Sequence, residues 1–273
     1  MNILLPIFRF TIYSNIFVAL CALSLCRISE IIMKTHNHEI NQFVFFATLF
    51  TYNFQRLIKQ DINKKSEKKI WVKRNKSIII IISIISGLIS GYLFLDLSLK
   101  TQIAIAFSGL ICILYPIKLR NIPFVKIFLI SIIWTISSCL LLILENNITI
   151  TDYTILYIIS VLLFVFAITI PFDIRDINID DKKIKTIPMI FGIKKSKSIS
   201  VCSLLITMII YVYLFYKNQL YEPHLFSIFI ALFITAILII KSHENKNIMY
   251  FSFWIESTSL IFYLILYLSS WIV

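Results

Sequence analysis

Pro171-Phe172-Asp173-Ile174-Arg175-Asp176-Ile177-Asn178-Ile179-Asp180-Asp181-Lys182-Lys183-Ile184-Lys185-Thr186-Ile187-Pro188-Met189-Ile190-Phe191-Gly192 is the stretch on which the reading of this chain turns. It gathers four of the fourteen acidic residues into nine positions, directly behind a long apolar run. In a helix, Asp173 and Asp176 stand three residues apart and share a face. Asp180 lies one further turn on, so the three carboxylates are expected to meet at one spot. Clustered oxygen ligands suit Mg²⁺, which completes its shell with water and substrate phosphate. Arg175, Lys182, Lys183 and Lys185 stand beside the acids. Acids to hold a metal, with bases to meet phosphate, point to a diphosphate site. Spacing alone fits a solvated polar loop at a membrane surface equally well. Like charges held this close repel when no metal is bound, so removing one acid is expected to stabilise the metal-free protein slightly.

Working outward, the 273 residues are 59% hydrophobic and only 15% charged, and the mean hydropathy is +0.89. A soluble domain is roughly half apolar and about a quarter charged, so this is an integral membrane protein. Its net charge of +12 lies between apolar runs, which fits a membrane surface and not a nucleic-acid partner. The five cysteines (Cys21, Cys26, Cys112, Cys139, Cys202) are scattered through apolar runs, with neither metal-ligand nor disulfide spacing. At about 20 apolar residues per crossing, the chain divides into nine expected spans, near 10–28, 40–58, 77–95, 101–118, 124–144, 152–172, 198–216, 223–241 and 248–271. The run from Phe10 to Cys26 has the length of a signal peptide but no small-residue cleavage site before Arg27, and reads as the first span. No stretch is long enough for a separate soluble domain, so residues 1–273 read as one transmembrane unit.

Basic residues set the orientation. The N-terminus with loops 55–76, 117–126, 173–197 and 241–246 carries 22 of the 26 lysines and arginines. That bias puts the N-terminus and the aspartate-rich loop in the cytoplasm of a cell membrane, the inner one in a bacterium, and nine spans put the C-terminus outside. The two most basic loops follow the second and sixth spans, which suggests two halves of four helices plus a ninth. Laying residues 52–61 over 171–180 pairs Arg56 with Arg175 and Asp61 with Asp180.

Asp-x-x-Asp-x-x-x-Asp followed by Lys-Thr-Ile-Pro and Phe-Gly resembles the second aspartate-rich motif of the UbiA superfamily of intramembrane prenyltransferases. Tyr115-Pro116-Ile117-Lys118, at the end of the fourth span, resembles a further stretch of that family. The resemblance implies an all-α bundle of nine transmembrane helices. It implies transfer of a prenyl group from a prenyl diphosphate to an aromatic or other lipophilic acceptor, assisted by Mg²⁺. Asp173, Asp176 and Asp180 would be the catalytic metal ligands, with Arg175, Lys182 and Lys185 on the diphosphate.

The family's first motif, Asn-Asp-x-x-Asp-x-x-x-Asp, is degenerate here. Its place reads Thr51-Tyr52-Asn53-Phe54-Gln55-Arg56-Leu57-Ile58-Lys59, and either alignment removes at least two of the three acids. In one reading Arg56 and Lys59 supply the lost metal's charge, arginine by its two-pronged donors. In the other the half-site has decayed, leaving a non-catalytic isoprenoid-binding membrane protein. Arg56 and Lys59 also fit as anchors at a helix end. Asn53 and Gln55, at the end of the second span, and Glu256, inside the ninth, are candidates for the acceptor side. An intramembrane carboxyl is expensive and faces the bundle interior. Ser86-Gly87-Leu88-Ile89-Ser90-Gly91 carries two overlapping small-xxx-small pairs, which let helices approach closely.

Overall fold

The computed structural model describes residues 4–58, 67–117, 122–181 and 184–272, and the regular structure among them is entirely helical. Lys59, Asp61, Lys118, Lys182 and Lys183 lie outside the described residues. In chain order the helices are α1 (Leu4–Tyr13), α2 (Ile16–Met33), α3 (His38–Ile58), α4 (Glu67–Arg74), α5 (Lys76–Asp96), α6 (Leu99–Ile117), α7 (Val125–Thr135), α8 (Leu141–Glu145), α9 (Asp152–Asp176), α10 (Ile187–Tyr216), α11 (Glu222–Ile240) and α12 (Ser257–Ser269). Two π-helical stretches, Ile136–Leu140 and Tyr250–Ile255, join α7 to α8 and lead into α12. Long runs of isoleucine, leucine and phenylalanine leave the backbone only one solution in lipid, an internally bonded helix.

Seven of these helical segments are long and apolar enough to cross a membrane. The other two expected spans are helices, but α3 is too polar to qualify and the described apolar stretch of α6, Leu99–Tyr115, is shorter than a full crossing. Length and composition therefore do not establish a count of nine. The expected first span, 10–28, is corrected as well. The chain breaks at Ser14-Asn15, where Asn15 has φ 64°, and the apolar helix runs from Ile16 to Met33. The break is held by buried polar partners described below. At the far end of α2, Glu30 is buried and pairs with Arg27 at 2.6 Å and with His36 at 3.1 Å. It also accepts from the Asn37 amide and the Asn41 side chain, closing the turn into α3.

Small residues set the closest helix contacts. On α5, Ser83, Ser86 and Ser90 are buried, and a Cβ added to Gly87 would sit 3.0 Å from the Phe50 ring of α3. A Cβ at Gly91 meets nothing within 4 Å, so only part of the small-residue pattern serves this interface. Between α9 and α10, hydroxyls add to an apolar contact. Pro171 has no N–H for the carbonyl of Ala167 four residues back, and Ser200 Oγ of α10 donates to that carbonyl at 2.6 Å. One turn away Ser203 Oγ donates to Leu163 O at 2.9 Å. This arrangement lets a proline sit two residues ahead of Asp173 without opening the helix. Ser200→Ala should strand a buried carbonyl and destabilise the protein by about 1–3 kcal/mol, seen as a lower midpoint of thermal unfolding in detergent with the helical content of the folded state unchanged.

Candidate functional site

Helix α9 extends through Asp176, so Asp173 and Asp176 are both helical, and Asp180 follows one turn later with its amide donating to Asp176 O at 2.8 Å. Facing them is the start of α7. Phe124 there takes φ 65° and donates its amide to Ile184 O at 3.3 Å, which ties this corner to the loop after the acids. Left-handed backbone at a bulky residue is strained and is found where the surroundings impose it. Ile127 packs in one buried cluster with Ile170, Ile174 and Ile187. The root of Lys126 is thereby fixed against the end of α9. Its Nζ lies 2.7 Å from Asp173 Oδ1 and 2.8 Å from Asp180 Oδ2, with all three side chains less than a tenth exposed.

Asp176 pairs with a different cation. Arg175 donates through Nε and a terminal nitrogen to its two carboxylate oxygens, both at 2.8 Å. The guanidinium lies over Phe172 and Phe251, 5.2 and 5.8 Å from the ring centroids. The three acids lie within electrostatic reach of one another but pair with different cations. Two meet on a lysine and the third on an arginine. Among the described residues no three His, Cys, Asp or Glu side chains gather to hold a metal ion. The carboxylates have the right chemistry for Mg²⁺, but as arranged they do not fit a resident ion, because an ammonium stands between Asp173 and Asp180. Sequence reading missed Lys126 by counting it among the basic residues of a membrane-flanking loop. The available signal was its position just inside an apolar run. Lys185 is exposed, with φ 48°, and faces no acid of the cluster in any described contact. Gly192 takes φ 77° and kinks α10, which accounts for the glycine after Phe191.

The stretch in place of the first motif is spent on structure. Asn53 is fully buried, accepts from Asn15 Nδ2 at 2.9 Å and donates to Ser14 O at 3.0 Å. Arg56 donates to the carbonyl of Tyr13 and to Asn15 Oδ1. Together they clamp the break between α1 and α2. Gln55 donates to Cys112 O of α6 at 2.9 Å, and Tyr52 accepts from Trp134 Nε1 at 3.1 Å. Glu256 follows directly on the Tyr250–Ile255 π stretch. It lies within electrostatic reach of both Arg56 and Arg175, and of Tyr52 and Cys21. The pairing of Arg56 with Arg175 made on the sequence thus places both around one intramembrane acid.

A cavity of about 300 Å³ opens between α3, α6 and α7. Most of its wall is apolar, with Tyr52, Gln55, Ser108, Tyr115, Trp134 and Ser137 as polar points. Tyr115 belongs also to the charged cluster, within electrostatic reach of Lys126, Asp173, Asp176 and Asp180. Through Tyr115 the cavity wall lies within electrostatic reach of the acids and bases. Pockets of this size and character take small ligands with an apolar body and a few polar contacts.

Long apolar helices, an internal cavity and a buried carboxylate–ammonium cluster define a helical intramembrane protein with a candidate ligand site. Comparison with known proteins narrows it. The model of the UbiA prenyltransferase family matches residues 72–268, and the chain belongs to that family. A comparison with curated proteins gave no match. Among solved structures, a UbiA homolog from Archaeoglobus fulgidus bound to GPP and Mg²⁺ superposes with a TM-score of 0.66 at 12% identity, covering 96% of this chain and 99% of that one. The apo structure of a UbiA homolog from Aeropyrum pernix K1 gives 0.62 at 11% identity, covering 93% and 97%. A structure described for digeranylgeranylglyceryl phosphate synthase gives 0.54 at 16% identity, covering 96% of each chain. At these identities the likeness is one of fold.

Proposed function

We propose that this chain binds a prenyl diphosphate, with its tail in the cavity beside Tyr52 and Trp134 and its diphosphate at the cluster around Lys126, and transfers the prenyl group to a lipophilic acceptor. The observation that carries the reading is Tyr115, which lines the cavity and lies within electrostatic reach of the charged cluster. The A. fulgidus homologs bound to GPP and to DMAPP with Mg²⁺ support this substrate class. In the reaction the allylic C–O bond breaks, the diphosphate keeps the electron pair, and the acceptor attacks the allylic carbon and loses a proton. Fixed positive charge at the departing oxygens lowers that barrier. Lys126 and Arg175 are our first candidates for that charge, with Lys59, Lys182 and Lys185 as further candidates. The aromatic faces of Tyr52 and Trp134 are placed to stabilise the allylic cation. Glu256, between Arg56 and Arg175, is the candidate for orienting the acceptor. Mg²⁺ enters this reading only as a rival of Lys126 for Asp173 and Asp180. The aspartate end is assigned to the cytoplasm, on the strength of the basic-residue bias.

A second reading is favoured by the fate of the first motif. With Asn53 and Arg56 committed to the α1–α2 corner and Tyr52 and Gln55 to the cavity wall, the chain would bind an isoprenoid diphosphate without transferring it. Release of inorganic diphosphate from geranyl diphosphate by purified protein, across a panel of acceptors, separates the two. The cavity assignment has its own test. A Cβ at Gly109 meets nothing within 4 Å, and the residue lines the cavity. Gly109→Phe should therefore fill the cavity without disturbing the fold. We expect it to weaken geranyl diphosphate binding at least about tenfold, roughly 1.4 kcal/mol, and to leave inorganic diphosphate binding within twofold. Equal loss for both ligands would place the tail elsewhere.

A further inference from the structure

We infer that Lys126 is a tethered cation that occupies the position between Asp173 and Asp180 and competes with Mg²⁺ for their carboxylates. The geometry is specific. One ammonium nitrogen lies 2.7 and 2.8 Å from an oxygen of each acid, and the lysine and both acids are buried. Ammonium offers three donors and one positive charge; one donor goes to Asp180 Oδ2 and the charge pairs with Asp173 Oδ1. Mg²⁺ requires oxygens at about 2.0–2.1 Å in a near-octahedral shell, so it cannot share the space between Asp173 Oδ1 and Asp180 Oδ2 with the ammonium that now fills it. Metal binding that bridges Asp173 and Asp180 through these two oxygens therefore requires Lys126 to withdraw.

Withdrawal is opposed on two sides. The lysine is rooted by the Phe124 amide on Ile184 O and by Ile127 in the cluster with Ile170, Ile174 and Ile187. Removal of the ammonium would also leave two carboxylates buried together, which repel. Asp176 does not relieve this, because Arg175 holds both of its oxygens. The cluster of three acids thus carries two built-in cations and a net charge of −1. A cluster so nearly neutralised has little to offer a free divalent ion. Where the diphosphate reading of this site holds, its ligand is met by a fixed ammonium and binds with little dependence on Mg²⁺. The competition itself does not rest on that reading.

The test is calorimetric titration of the purified full chain with MgCl₂ alone, in the absence of any prenyl compound. Lys126→Met, which removes the charge and keeps the length, should bind Mg²⁺ at least about tenfold more tightly than the natural protein. Lys126→Arg should show no such gain. Equal Mg²⁺ affinity in the natural protein and Lys126→Met would overturn the inference. Should Lys126→Met fail to fold, the natural protein answers by amine labelling read out by mass spectrometry. Lys126 should be protected relative to the exposed Lys185 without metal, and should become more reactive as MgCl₂ rises through the millimolar range. Labelling of Lys126 at the rate of Lys185 in metal-free protein would sink the proposal, as would protection that Mg²⁺ leaves unchanged. A protein that binds no prenyl diphosphate would defeat the proposed function and leave these outcomes readable.

Discussion

Asp173→Ala should lower the stability of the metal-free protein, by about 3 kcal/mol or more, the scale on which removing one partner of a buried ion pair acts. The expectation from the sequence has the opposite sign. Three acids in a row of turns would repel, and deleting one would relieve them. The structure reverses this because the most buried of the three, Asp173 at 1% exposed, faces Lys126. Removing it leaves the buried ammonium with Asp180 as its remaining described acid. Asp176→Ala is the internal control. Its pair with Arg175 is more open, the two side chains being 16% and 25% exposed, and pairs that water can screen contribute about 1 kcal/mol or less. Thermal unfolding in detergent should therefore rank Asp173→Ala well below Asp176→Ala, with the natural protein highest. Asp173→Asn combined with Lys126→Met removes charge from both sides and should recover part of the loss, because coupled residues give non-additive effects. A higher unfolding midpoint for Asp173→Ala would restore the repulsion account and remove Lys126 from the site.

The elements of this fold were largely legible because lipid narrows the choice to helices, and apolar runs mark them. What was not legible follows from side-chain direction. Asp173 and Asp176 were correctly expected on one helix, yet a three-residue separation still leaves about 60° between side chains, enough for one to meet α7 and the other to meet Arg175. Lys126 was hidden by a rule that is right on average: lysines at span ends are usually anchors. Only the turn at Phe124, whose φ no residue pattern announces, aims this one inward. The break at Asn15 escaped detection for a similar reason. The local sequence Tyr13-Ser14-Asn15-Ile16 has no proline or glycine, and the partners that stabilise the break come from 38 and 41 residues away, at Asn53 and Arg56. The family resemblance, by contrast, was carried by a local motif, and local motifs survive in a single sequence.

Arg56→Ala decides between two roles for the degenerate motif. In the structure the guanidinium donates to the Tyr13 carbonyl and to Asn15 Oδ1. Asn15 is itself held by Asn53, which also bonds Ser14 O. Hydrogen bonds from a charged donor contribute about 1.5–3 kcal/mol each, and two are lost together with the positive charge facing Glu256. The expected result is a loss of about 3 kcal/mol or more in stability, with α1 loosened. Cleavage by a protease near Ser14 should report that loosening directly. Arg56→Lys should recover little, because a single ammonium cannot reach both acceptors as the planar fork does. Asn53→Ala should reproduce the corner defect while leaving every cation in place. The two roles then separate in one measurement, the affinity of inorganic diphosphate for folded protein. If Arg56 serves the corner, Arg56→Ala and Asn53→Ala both lose stability and both keep that affinity within about twofold. If Arg56 reaches the diphosphate, its variant alone falls by about tenfold or more, roughly 1.4 kcal/mol. The first outcome would leave Lys126 as the principal built-in cation of the site, and would mean that the lost acids of the first motif were exchanged for a structural hinge and not for a second phosphate clamp.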